Sequence, residues 1–286
     1  MSTQTLEQLV ERVERLPRLP DTALRLVSIL SDPASSIEQI VDTIRYDQAV
    51  TAEVLRLCNS AYFGLSQRVN SIDDAVRLLG TAKVLQLVMS AHVQTMLNRP
   101  QEGYGLAPGA LWEHSVGVAL GCREFSRRLG LSELGLSFTL GLLHDVGKVV
   151  LNQYVVAEYT EIVRRVTHEE LSFLEAEQQV LGFTHPEVGA RLAEVWSLPE
   201  PIARSIRYHH DPEELATPDP LVDCVHLADT TCLLIGIGGG MVDALSYRAH
   251  PAVLERHELG QRDLEVIGAD IVTEMKSVRD LFAGET

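Results

Sequence analysis

At 286 residues the chain has the length of one large or two moderate domains and can bury a substantial core. Hydrophobic residues make up 45% and aromatics only 5%, which favours packed helices over a β-sandwich. The formal net charge of −16 argues against sequence-independent binding to nucleic acid, which needs a basic face, and against an anionic membrane surface; its plain use is solubility.

In chain order, almost everything reads as helix. Ser35 and Glu38 form a capping-box pattern, and Ile37, Ile40, Val41 and Ile44 follow on one apolar face. Asp47 is placed to cap the next helix, which carries Val50, Val54, Leu55 and Cys58 and is expected to stop at Gly64. Ser71 and Asp74 start a short helix that ends at Gly80, and Thr81 is expected to cap a longer one with Val84, Leu85, Val88 and Ala91. These helices hold no metal-ligand cluster, so packing or partner binding is their expected role. The stretch from Asn98 to Gly109, N-R-P-Q-E-G-Y-G-L-A-P-G, reads as a link, placing a boundary near residue 101 between an N-terminal lobe, 1–100, and a second lobe, 101–286.

The second lobe begins with a helix from near Pro108 to Leu129, carrying His114 in its first turns. A helix from about Ser132 leads to His144-Asp145, after which Gly147 lets the chain turn. Thr167 and Glu170 pattern as a capping box for a helix ended by Gly182, and Thr184 and Glu187 as another, with His185 in the first turn. His209 and His210 close a helix just before Asp211-Pro212. Successive helical residues point about 100° apart, so both can reach one ion only if that helix end relaxes. Asp229 lies inside the run from Leu221 to Ile235, L-V-D-C-V-H-L-A-D-T-T-C-L-L-I, a buried helix in which a carboxylate is costly unless it is paired or holds a cation. His226, one turn before it, is expected at the surface, with a supporting contact to the site as the other reading. The run from Gly236 to Gly240, G-I-G-G-G, is a loop without the G-K-[ST] of a phosphate cradle. Leu264, Ile267, Ile271 and Met275 mark an amphipathic C-terminal helix.

Cys58, Cys122, Cys224 and Cys232 form no C-x-x-C pair and read as buried free thiols of a reducing compartment. No run of 18 apolar residues occurs, and the first residues lack a basic region followed by an apolar one. A cytoplasmic protein without membrane contact is expected.

Seven residues carry chemistry: His114, His144, Asp145, His185, His209, His210 and Asp229. Imidazole nitrogens and carboxylate oxygens suit zinc, manganese, iron or nickel. In an adjacent His-Asp pair the Asp can bridge two ions while the His ligates one, and a two-ion site can activate water and clamp a phosphoryl group. Taken singly, each histidine is better explained as a surface or core residue than as a ligand; His92, His168, His250 and His257 are read that way.

The order of the set, a His, then His-Asp, then a distal Asp, resembles the HD superfamily of metal-dependent phosphohydrolases. The additional histidines, and Lys148 in the run H-D-V-G-K that starts at His144, resemble its two-metal HD-GYP phosphodiesterases. Four N-terminal strings resemble the HDOD family of bacterial signalling modules, over roughly residues 10 to 235. They are L-P-R-L-P from Leu16 to Pro20, S-D-P from Ser31 to Pro33, D-Q-A-V-T-A-E-V-L-R-L-C-N-S-A-Y-F-G from Asp47 to Gly64, and S-I-D-D-A-V-R-L-L-G from Ser71 to Gly80. The resemblance implies an all-α, two-lobed fold with two divalent transition-metal ions (Fe, Mn, Ni or Zn). His114, His144, Asp145 and Asp229 would hold one, and Asp145, His185, His209 and His210 the other. Lys148 would then sit near a substrate phosphate, acting with Asp145; its plain alternative is a solvated lysine. Two departures count. The G-Y-P element is missing from the run between His209 and Pro220, H-H-D-P-E-E-L-A-T-P-D-P, and Ala110 stands where three-metal relatives carry a carboxylate. Two functions follow: hydrolysis of a nucleotide phosphodiester, or a non-catalytic signalling module with a structural or sensory metal. Either meets its protein partner or nucleotide in trans.

Overall fold

A computed structural model describes residues 19–238 and 248–283, apart from 33, 66, 133 and 170. The signals read at 16–18, Pro33, Glu170 and Gly239–Gly240 lie outside these. The described residues form helices and short 3-10 turns, with no strand; an isolated β-bridge pairs Gln101 with Leu106. The fold is all-α, as expected. None of the described helices is long and apolar enough to cross a membrane.

Before the link come α1 (Asp21–Leu30), α2 (Ile37–Arg45), α3 (Gln48–Cys58), α4 (Ile72–Leu79) and α5 (Thr81–Leu97). Ser36, not Ser35, caps α2: its hydroxyl accepts from Gln39 N, and the Gln39 carboxamide accepts from Ser36 N. Both serines satisfy the pattern, and Ser36 leaves Ile40, Val41 and Ile44 buried on one face. Asp47 caps α3 as expected, and also accepts from the Thr22 hydroxyl at 2.5 Å, which ties α3 to α1. α3 stops short of Gly64 because Asn59 intervenes. Its amide nitrogen donates to the carbonyls of Leu55 and Val69 at 2.7 and 2.8 Å, and its oxygen accepts from Val69 N at 2.8 Å. Ser71 caps α4. Thr81 does not cap α5; it is the first helical residue, behind Gly80 at φ +81°.

After the link come α6 (Ala110–Arg128), α7 (Leu134–Leu143), α8 (Val146–His168), α9 (Phe173–Leu181), α10 (His185–Val195), α11 (Glu200–Tyr208), α12 (Pro220–Leu234), α13 (Pro251–Arg256) and α14 (Gln261–Ala283). The box at Thr167 is absent: α8 runs through it, and its hydroxyl bonds back to the Val163 carbonyl at 2.8 Å. Ser172 and Glu175 form the box that starts α9. The Thr184–Glu187 box forms at α10.

α6 packs against α7 and α12, with α14 across it, while α10 packs on α8 and α11. Buried apolar side chains from Leu19 to Leu281 form one cluster. α14 contributes Leu264, Ile267, Ile271 and Met275, the stripe expected, while Cys58, Cys122, Cys224 and Cys232 are buried and free. Gly147 is not a turn. It lies in the first turn of α8, where an added Cβ would stand 1.9 Å from the His185 carbonyl oxygen. Only glycine lets α8 and α10 approach closely enough to bring the start of α10 to Asp145.

Candidate metal centre

Helix ends deliver most of the seven side chains. His144 follows the last residue of α7, Asp145 precedes α8, His185 opens α10, and His209 and His210 follow α11. α6 and α12 present His114 and Asp229 from their bodies. Both members of the doublet lie beyond the last residue of α11, with His209 still in the helical region at φ −63°, ψ −26°.

The structure brings all seven together. Asp145, His185, His209 and His210 form one group of potential ligands, and His114, His144 and Asp229 another. His114 Nε2 lies 3.0 Å from Asp229 Oδ1 and 3.6 Å from Asp145 Oδ2, which His144 Nε2 faces at 3.5 Å. Asp145 Oδ1 faces His185 Nε2 at 3.3 Å and His209 Nε2 at 3.8 Å. His210 Nδ1 is 3.7 Å from Asp229 Oδ2. Asp145 thus turns one oxygen toward each group. Donors sharing an ion at roughly 2.0–2.2 Å stand about 3 to 3.5 Å apart, so these separations fit the edges of coordination polyhedra.

The imidazoles are held from behind. His114 Nδ1 bonds the Ile237 carbonyl at 3.0 Å, His144 Nδ1 that of Gly141 at 2.7 Å, and His209 Nδ1 that of Ile206 at 2.8 Å. A carbonyl only accepts, so each Nδ1 carries a proton; His144 and His209 then turn the lone pair of a partnerless Nε2 inward, while His114 Nε2 meets the Asp229 carboxylate. His144 and His209 each bond the carbonyl three residues earlier, so each closes the helix it follows. His144 Nε2, His209 Nε2 and Asp145 Oδ1 are buried without a hydrogen-bond partner. Burial of such atoms is costly, and a cation would satisfy all three.

The electrostatics divide the imidazoles: against the cost of burial, Asp229 and Asp145 hold the His114 pKa above its ordinary value. Burial drives the pKa of His209 down to about 3 and lowers those of His144 and His210, the last also through His209. Burial would raise both aspartates, but Lys148 and His144 hold Asp145 well below the usual carboxylate range, and His114 does the same for Asp229. Burial opposes a charge on His185, yet the Glu177 carboxylate lifts it to about 9.

Lys148 is not solvated: it is 6% exposed, with Nζ 2.8 Å from Asp145 Oδ2 and 5.8 Å from the centre of the Tyr104 ring. His226 is not at the surface either. Its Nδ1 donates to the His209 carbonyl at 2.8 Å and its Nε2 accepts from His250 N at 2.9 Å. Glu177, which the motifs do not mark, sits fully buried behind His185. Its signal was available: on α9 it shares a face with Phe173 and Ala176, a carboxylate inside an apolar stripe.

A family model for the HDOD domain matches residues 16–212. This chain belongs to the HDOD family. The match takes in six of the seven residues and ends before Asp229, which only the fold brings to the others. An HDOD domain protein of unknown function from Geobacter sulfurreducens is 30% identical, with a TM-score of 0.75 over 96% of this chain and 97% of that one. A candidate signal transduction protein from Marinobacter aquaeolei (24% identity, TM-score 0.74, 99% of this chain, 61% of that one) shares the fold. So does a candidate phosphohydrolase from Shewanella amazonensis (23%, 0.67, 96% and 97%). The HDOD chain spans less than half the length of the curated relatives it matches. It covers 44% of an uncharacterized protein from Treponema pallidum, 28% identical over 244 residues, and 24% of Ribonuclease Y from Aquifex aeolicus, 28% identical over 176.

Proposed function

We propose that this HDOD chain is a bacterial signalling protein whose buried centre holds two divalent transition-metal ions and hydrolyses a phosphodiester, with a nucleotide as the substrate class. His114, His144, Asp145 and Asp229 hold one ion; Asp145, His185, His209 and His210 hold the other. The observation that carries this is the set of buried, partnerless atoms (His144 Nε2, His209 Nε2 and Asp145 Oδ1) gathered around the Asp145 carboxylate. When bound, the ions would supply an acidified water and charge to offset a phosphoryl group. Lys148 holds Asp145 in place and keeps a desolvated positive charge beside the position of a substrate phosphate. His210 lines a cavity of about 260 Å³ with Thr184, Glu187, Arg207 and Asp211, which gives a substrate a route from the surface. Residues 1–100, which contribute none of the ligands, form the lobe that meets a protein partner.

A second reading rests on burial. His114, His144, Asp145, His185 and His209 are each at most 2% exposed. So closed a centre suits a structural or sensory metal in a non-catalytic module. Elemental analysis of untagged protein, reconstituted and freed of loose metal, tests the centre: two ions per chain are expected, and none refutes it. An assay of the loaded protein on a generic phosphodiester separates the readings. Turnover that His144→Ala abolishes supports the hydrolase; no turnover with both ions in place leaves the sensory module.

A further inference from the structure

One imidazole in the centre is backed differently from the three whose Nδ1 atoms face main-chain carbonyls. His185 Nδ1 lies 2.8 Å from Glu177 Oε2, which also accepts from the His185 main-chain N–H at 3.0 Å. The other Glu177 oxygen accepts from the Tyr104 hydroxyl at 2.7 Å. Glu177 is fully buried and Tyr104 is 3% exposed, so this chain of bonds is shielded from water. A carboxylate behind a ligating imidazole fixes its tautomer and raises its strength as a donor more than a neutral carbonyl does.

Tyr104 belongs to the link between the first helices and the histidine-bearing ones. There Gln101 and Leu106 exchange main-chain hydrogen bonds at 3.1 Å, closing a turn around Glu102–Tyr104. Gly103 N donates to Asn152 Oδ1 on α8 at 2.8 Å, which docks the turn on the helix that begins beside Asp145. The Tyr104 ring packs at 5.5 Å on Phe173 and meets the His185 ring edge-on at 6.4 Å, with Lys148 Nζ above it. The turn therefore contacts His185 through Glu177 and stands under the lysine that holds Asp145.

We propose that Tyr104 and Glu177 are positioning residues for the His185 half of the centre, and that the 101–106 turn sets through them how tightly that half holds its ion. The inference rests on the two-ion reading. It makes the two ions unequal: the His114 and His144 imidazoles are backed by main-chain carbonyls, while His185 answers to the segment that joins the two parts of the chain.

The test is a titration of metal-free, full-length protein with Mn²⁺, followed by calorimetry and by elemental analysis. Tyr104→Phe removes one hydroxyl and Glu177→Gln one charge, and both keep the packed shape. Each should leave the first ion at wild-type affinity and weaken the second by roughly 10–100-fold. In a His185→Ala background Tyr104→Phe should have no further effect, because the ligand it acts on is gone; a merely structural tyrosine would still show its full loss there. Thermal unfolding of the metal-free variants checks that they fold, and Tyr104→Phe serves alone if Glu177→Gln does not. Two ions bound by each variant as tightly as by wild type, or both ions weakened alike, overturns the inference. A wild-type protein that takes up fewer than two ions overturns the two-ion reading, and this inference with it.

Discussion

A methyl group on residue 147 would stand 1.9 Å from the His185 carbonyl oxygen, so Gly147→Ala must push α10 away from α8. Overpacking of this kind costs about 1–3 kcal/mol. The variant should melt lower and, because His185 moves from Asp145, hold less metal; circular dichroism melts with elemental analysis measure both. Asp145 meets both ligand groups closely, His185 at 3.3 Å and His144 at 3.5 Å, whereas Asp229 stands 3.0 Å from His114 and meets the other group only in His210 at 3.7 Å. Asp145→Asn should therefore lose both ions, Asp229→Asn chiefly one, and His226→Ala least of the three, since His226 reaches the centre only through the His209 main chain. Equal metal content in all three would refute the division. At this scale the sequence was informative where chemistry is dense. The seven clustered side chains stand out because a buried acid and a histidine doublet are expensive without a purpose. Glu177 showed only as a carboxylate inside an apolar stripe, and the burial of His226 was hidden, because a lone His on a helix looks the same whether its face points to water or to a neighbour that arrives from far along the chain.

Capping shows the same limit one level up. Asp47, Ser71 and Thr184 were legible, since a short polar side chain before an apolar face has one good use. Ser35 and Ser36 both fit the pattern, and packing of Ile40, Val41 and Ile44 chose between them. Thr167 was misleading: a threonine inside a helix can bond backward to the carbonyl four residues earlier, and there it does. The 23-residue α8 was missed for the reason that makes it useful, because its Gly147 reads as a turn until α10 is seen against it. Thr184 caps the helix that His185 opens, and its own N–H is capped in return by Glu187 at 2.9 Å. Thr184→Ala should cost about 0.5–2 kcal/mol of stability by urea titration. It should also weaken the ion held by His185, and a melt shift without that loss would show that α10 is held by packing alone.

Across the whole molecule, one ionic contact joins three parts of the chain. Glu274 on α14 accepts from Arg123 on α6, with Nη2–Oε2 at 2.5 Å, and from Lys83 on α5 at 3.2 Å. Burial would raise the Glu274 pKa, but Arg123 and Lys83 more than offset it and hold it below the usual value. A carboxylate depressed in the folded state stabilises above its unfolded pKa, about 4.3, and loses that contribution as pH falls through the folded value. The stability gap between wild type and Glu274→Gln should therefore be full at neutral pH and close as the solution is acidified below about pH 4; urea titrations across that range measure it, and a constant gap would refute the assignment. A second consequence of long-range assembly lies in His144 and His209, each of which closes a helix with one ring nitrogen and turns the other inward. Ion occupancy and fraying of those helix ends then become a single linked equilibrium. At a metal concentration one hundred times Kd, binding adds about 2.7 kcal/mol against any opening that breaks the site. Amide hydrogens in the last turns of α7 and α11 should accordingly exchange with deuterium far more slowly in the loaded protein than in the metal-free one, while those of the distant α1 keep their pace, so that the ends of two helices report on the ions without any need for a substrate.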